Sequence, residues 1–125
     1  MKALQYIYQN PHDQLLYIFG KYNHRIQVFT SLGEYREMVY RRNKEDHGLS
    51  APQDVILDQN GTLIISDSGN DRIILILQSG DVEVFWTSGK EPGQFSQPQS
   101  LALTKDGNLL VADHHGHRLQ IFQYH

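Results

Sequence analysis

The stretch GTLIISDSGNDRIILI, Gly61–Ile76, returns as GNLLVADHHGHRLQIF, Gly107–Phe122. An earlier copy, QLLYIFGKYNHRIQVF, runs from Gln14 to Phe29. Arg25, Arg72 and Arg118 align, spaced 47 (72 − 25) and 46 (118 − 72) residues apart. Each copy holds an apolar run, a short polar turn, an arginine and a second apolar run. Self-similarity at this period is the mark of a repeat architecture, in which one supersecondary unit is copied and stacked.

The flanking sequence completes the unit. Upstream of each copy lie LQYIY (Leu4–Tyr8), DVILD (Asp54–Asp58) and SLALT (Ser100–Thr104). Downstream of the first two lie YREMVY (Tyr35–Tyr40) and DVEVFW (Asp81–Trp86). Runs this rich in Ile, Val, Leu, Tyr and Phe, separated by polar turns, read as short antiparallel strands. DQNG (Asp58–Gly61), KDG (Lys105–Gly107) and QSGD (Gln78–Asp81) supply hairpin turns, with glycine at the position needing a positive φ. No segment sustains apolar spacing at 3.6 residues, so no helix is expected. Four strands per unit match one blade of a propeller. The expectation is an all-β chain of three antiparallel blades, at about 1–48, 49–93 and 94–125, the last lacking its fourth strand.

Composition sets the outer limits. The chain has 125 residues, 39% hydrophobic and 20% charged, with a net charge of −3. That charge does not describe a general polyanion-binding surface. Cysteine is absent, which excludes disulfides, thiolate metal sites and cysteine nucleophiles. MKALQYIYQN lacks the apolar run and cleavage site of a signal peptide, and RIILIL is too short to span a bilayer. A cytoplasmic location is expected.

The repeated residues resemble the NHL repeat. SDSGNDRIILI (Ser66–Ile76) is similar to its hallmark: an aspartate ending one strand, a Gly-Asn turn, then Arg-Ile opening the next. PQDVILDQNGTLIISD (Pro52–Asp67) and GQFSQPQSLALTKDGNLLVAD (Gly93–Asp113) resemble its first half. The first copy departs from the pattern, with Gly20 for the aspartate and Gln14 for the turn glycine, while Asn23 and Arg25 are kept. On this reading Asp67, Gly69, Asn70 and Arg72, together with Asp113, Gly116 and Arg118, build the blade. The aspartates accept bonds from turn amides and from the arginines. Gly69 and Gly116 admit a backbone geometry closed to side chains, and Pro52 and Pro98 start strands without a ladder donor.

The resemblance also implies a closed, six-bladed ring. Three blades leave two flanks uncovered, so a homodimer of half-propellers is expected. The implied role is a non-catalytic scaffold for a protein or peptide, with no cofactor. A second class remains open, because some NHL domains bind RNA on a basic face. Arg36, Arg41, Arg42 and Lys44, beside Tyr40, form the one basic cluster, interleaved with Glu34, Glu37, Glu45 and Asp46. A solvated, mixed-charge edge strand explains it more simply.

The resemblance to propeller proteins also leaves a less favoured alternative, a metal-dependent hydrolase or lyase, for which the residues offer little support. The first strands of the blades, expected to line the channel, carry Gln53, Asp54, Gln99 and Ser100 but no recurring carboxylate–histidine set. No Ser/His/Asp arrangement follows from spacing. His114, His115 and His117 share one turn and offer two metal ligands at best. His24, Asp71 and His117 are expected on third strands of successive blades, too far apart to hold one ion. Trp86 and Phe85 are expected to pack between blades.

Overall fold

In the computed structural model the described residues are 5–11, 13–20, 25–41, 49, 51–79, 81–86, 94–113 and 117–124. They form eleven strands in three antiparallel sheets. The first sheet comprises β1 (Gln5–Gln9), β2 (Leu16–Gly20), β3 (Arg25–Phe29) and β4 (Tyr35–Arg41) in sequence order. The second comprises β5 (Pro52–Leu57), β6 (Leu63–Asp67), β7 (Arg72–Ile76) and β8 (Val82–Trp86). The third holds β9 (Pro98–Leu103), β10 (Asn108–Asp113) and β11 (Arg118–Gln123). The strand pattern read from the sequence is therefore the pattern observed, including three strands in the last sheet.

Side-chain alternation decides how the sheets stack. Along β6 every residue is buried, because successive side chains point to opposite faces and both faces of this sheet are covered. Leu63 and Ile65, with their cross-strand partners Ile76 and Ile74, meet Tyr17, Phe19, Ile26 and Val28 of the first sheet. Ile64, Ile73 and Leu75 meet Leu101, Leu109, Val111 and Phe95 on the other side. Burying each such side chain contributes roughly 1.5–3 kcal/mol. The sheets come together along β1, β5 and β9, so they fan from one side.

The turns refine the expected geometry. Gly61 (φ 81) and Gly107 (φ 86) take positive φ, as their hairpins require. Gln14, standing where the second and third hairpins have glycine, adopts φ 66 regardless. Its amide donates to Asn10 O at 2.9 Å, and its side-chain amide donates to Pro11 O at 3.1 Å. In the turn after β6 the assignment to Gly69 is corrected. Ser68–Asn70 form a single 3-10 turn, and Asp71 takes the left-handed position at φ 54. His117 does the same at φ 50. Asp71 and His117 therefore sit in turns, not on third strands as expected. Aspartate tolerates the left-handed region because its short carboxylate bonds locally.

Candidate interaction surfaces

The repeated aspartate and arginine close the second and third blades internally. Asp67 and Arg72 face each other across β6 and β7. The Asp67 carboxylate, fully buried, accepts Arg72 Nε at 2.7 Å and Asn70 Nδ2 at 2.8 Å. Asp113 and Arg118 repeat the pairing across β10 and β11 more loosely, Nε at 3.4 Å and Nη2 at 3.3 Å. There the carboxylate also accepts the Ser96 amide on both oxygens at 3.1 Å, and Arg118 Nη2 reaches Gln94 O at 2.5 Å. These groups are consumed by structure. Asn23 and Gly116 lie outside the described residues, as does the Arg25 side chain.

A second polar set joins neighbouring blades, and the repeat motif alone does not announce it. Four side chains of the second sheet hold the backbone where β9 begins. Asp71 Oδ1 accepts the Gln97 amide at 2.8 Å, Ser68 Oγ donates to Pro98 O, and Ser66 Oγ donates to Gln99 O at 2.5 Å. Asp54 Oδ2 accepts the Leu101 amide at 2.9 Å, while its Oδ1 accepts the Val55 amide at 2.9 Å. Burial pushes the Asp54 carboxyl above its ordinary value, against the two amides that pull it down. The sequence signal was present in Ser66, a buried hydroxyl in an otherwise apolar run. Asp54, read as a channel residue, is a blade clasp. Tyr124, just past β11, adds a bond from its hydroxyl to Asp58 Oδ2 in the second sheet's hairpin.

The outer sheets each present one uncovered face. Leu110, Ala112, Leu119 and Ile121 stand 46 residues after Ile64, Ser66, Ile73 and Leu75, whose face is covered by the third sheet. Leu119 is 59% and Ile121 63% exposed, whereas Ile64 and Ile73 are 0%. On the first sheet Ile7, 65% exposed, pairs with Ile18 on the face away from the second sheet. Half-buried Phe29 and exposed Tyr35 lie edge to face beside it in the sheet, ring centroids 5.5 Å apart. Among the described residues, both outer faces thus carry exposed apolar side chains.

The other candidates are less convergent. Arg36 is exposed on β4 between Glu34 and Glu37. Tyr40 and Arg41 extend the same strand, their side chains outside the described set, and Arg42 and Lys44 lie outside it altogether. The Phe85 and Trp86 side chains are likewise outside it. Among the described residues no group of three histidines or carboxylates is placed to hold a metal; His24, His114 and His115 are not among them. No helix among them is long and apolar enough to cross a membrane. A cleft of about 270 Å³ runs along the seam between the second and third sheets, lined by Asp58, Asn60, Thr104, Lys105 and Tyr124 among others. Its carboxylate is occupied, since Asp58 Oδ1 accepts the Asn60 and Thr62 amides at 2.8 Å.

The sequence model of the NHL repeat matches residues 95–122. No curated protein matches the chain. Among solved structures the fold is similar to virginiamycin B lyase from Staphylococcus aureus, with a TM-score of 0.67 and 12% identity over 94% of this chain and 41% of that one. It is similar to an auxiliary nutrient binding protein from Bacteroides ovatus, with a TM-score of 0.72 and 15% identity over 95% and 37%. A protein of unknown function from Bacteroides caccae gives 0.64 and 12% over 86% and 37%. The chain spans about two fifths of the length of these structures. At such identities the likeness establishes fold alone.

Proposed function

We propose that this chain, a set of propeller blades carrying an NHL repeat at residues 95–122, is a non-catalytic scaffold for a protein or peptide. Blades of about 1–48, 49–93 and 94–125 form half of a six-bladed ring, and two copies close it head to tail. One observation carries this reading. Leu119 and Ile121 stand open at positions whose equivalents, Ile73 and Leu75, are buried by a following blade. A second copy offering Ile7, Ile18 and Phe29 would cover them as the third sheet covers the second.

The test is the mass of the purified chain at micromolar concentration. Sedimentation should give twice 14.4 kDa, and Leu119→Asp with Ile121→Asp should return it to a monomer. A stable, well-folded monomer of the unmodified chain refutes closure by self-association.

A further inference from the structure

We infer that Asn60 is a self-modification site: in the folded chain the Gly61 amide nitrogen attacks its side-chain carbonyl carbon, and the isoaspartate formed loosens the seam between the second and third sheets. The inference is independent of the scaffold and the dimer, because it depends on one hairpin and the contact beside it.

The chemistry needs only water. A backbone nitrogen attacks the side-chain carbonyl carbon of the asparagine before it and closes a cyclic imide. The new C–N bond replaces the bond to the side-chain nitrogen, which leaves as ammonia, and the attacking nitrogen gives its proton to solvent. Water then opens the imide at either carbonyl, yielding aspartate or isoaspartate, and nothing is oxidised or reduced. This reactivity is one reason asparagine is thermolabile. It is greatest where the attacking residue has no Cβ and the asparagine side chain can swing over it.

Sequence and structure single out Asn60. Of the six asparagines in the chain, it alone precedes a glycine. Asn10 precedes Pro11, whose nitrogen carries no proton. The Asn70 side chain is held on Asp67 at 2.8 Å, and Asn108 precedes Leu109, which is 1% exposed. Asn60 stands exposed in the hairpin between β5 and β6, beside Gly61 at φ 81. The Gly61 amide donates to Asp58 O at 3.2 Å, the long end of the range for such a bond. That bond is a weak guard over the attacking nitrogen.

The product matters because of Asp58. Its Oδ1 accepts the Asn60 and Thr62 amides at 2.8 Å, and its Oδ2 accepts the Tyr124 hydroxyl from beyond β11. One carboxylate thus fastens the turn and the neighbouring sheet. Aspartate at position 60 leaves the backbone path unchanged. Isoaspartate routes the backbone through the side chain and lengthens the turn, which draws the two amides off Oδ1. The Asp58 carboxylate then turns away from Tyr124.

The test is to age the full chain in mildly alkaline buffer, folded and in urea, and map position 60 by mass and by isoaspartyl methyltransferase labelling. The folded chain should convert at a rate within about tenfold of the unfolded one, and Gly61→Ala should slow conversion by about tenfold or more. The isoaspartate fraction, separated chromatographically, should melt below both the fresh chain and Asn60→Asp. In a Tyr124→Phe background that loss should shrink, because the coupled contact is already gone. Asn60 left intact in the folded chain overturns the proposal, whatever the unfolded chain does. So does an isoaspartate fraction that melts with Asn60→Asp, or a loss unchanged by Tyr124→Phe.

Discussion

The carboxylate of Asp54 on β5 accepts the amide of Leu101 on β9 at 2.9 Å, joining two sheets across 47 residues of chain. Around it Ser66, Ser68 and Asp71 hold the same short backbone segment. The blades are thus fastened by side-chain-to-backbone bonds as well as by apolar packing, and these bonds fix how one blade meets the next. A buried backbone amide left without an acceptor costs about 1–3 kcal/mol, so each clasp selects one docking register over its neighbours.

The Asp54 clasp has a pH signature. Its carboxyl is held above the ordinary 3.8, first by burial. The folded state therefore keeps this proton to higher pH than the unfolded chain does. The associated stability is full below the unfolded value and is lost as pH rises through the folded one. The stability of the unmodified chain minus that of Asp54→Asn should fall as pH rises from below 3.8 into the neutral range. Urea unfolding at several pH values checks this; a difference that grows with pH would mean the Val55 and Leu101 amides outweigh desolvation.

The two hairpin ion pairs differ in worth. Arg72→Ala strands the fully buried Asp67 carboxylate and should cost about 3–5 kcal/mol. Arg118 is more exposed and its bonds to Asp113 are longer, so Arg118→Ala should cost less, about 1.5–3 kcal/mol. Denaturant midpoints at unchanged slope give the comparison. Equal losses would show that the repeat, not the local geometry, sets the value.

Tyr124 ties the end of the third sheet to the second. Burial raises its hydroxyl well above 10.0, and the Asp58 carboxylate raises it further. The stabilising proton is fully held below the unfolded value and lost as pH climbs through the folded one. Tyr124→Phe should cost about 1.5–3 kcal/mol at neutral pH, as expected for a hydrogen bond to a charged group. The stability difference between the chain and this variant should shrink above pH 10, followed by thermal unfolding in alkaline buffers.

Three hairpin positions test backbone strain with opposite signs. A Cβ on Gly107 would lie 2.9 Å from Tyr124 O, at φ +86. Gly107→Ala should therefore destabilise more than Gly61→Ala, where the nearest contact is the Gln78 side chain at 3.5 Å. Backbone strain alone accounts for about 1–2 kcal/mol at either site. Gln14 already bears such strain at φ 66, so Gln14→Gly should raise stability by about 0.5–1 kcal/mol. Its exposed side-chain bonds compete with water and return little. Melting temperatures of the three variants rank them.

How far the chain could be read without coordinates follows from which forces are local. The strands and the hairpins at Gly61 and Gly107 were all legible. Alternation and positive-φ glycines act within a few residues, and the repeat displays them more than once. The left-handed residue of the turn after β6 was not legible. Gly69 advertises conformational freedom, yet Asp71 takes the position because its carboxylate also captures Gln97, 26 residues away. Nor could sequence divide Leu119 and Ile121 from Ile73 and Leu75, which occupy the same repeat positions. Strand identity is written along the chain. Burial and blade-to-blade bonding depend on which sheet stands alongside, and only the folded arrangement settles that.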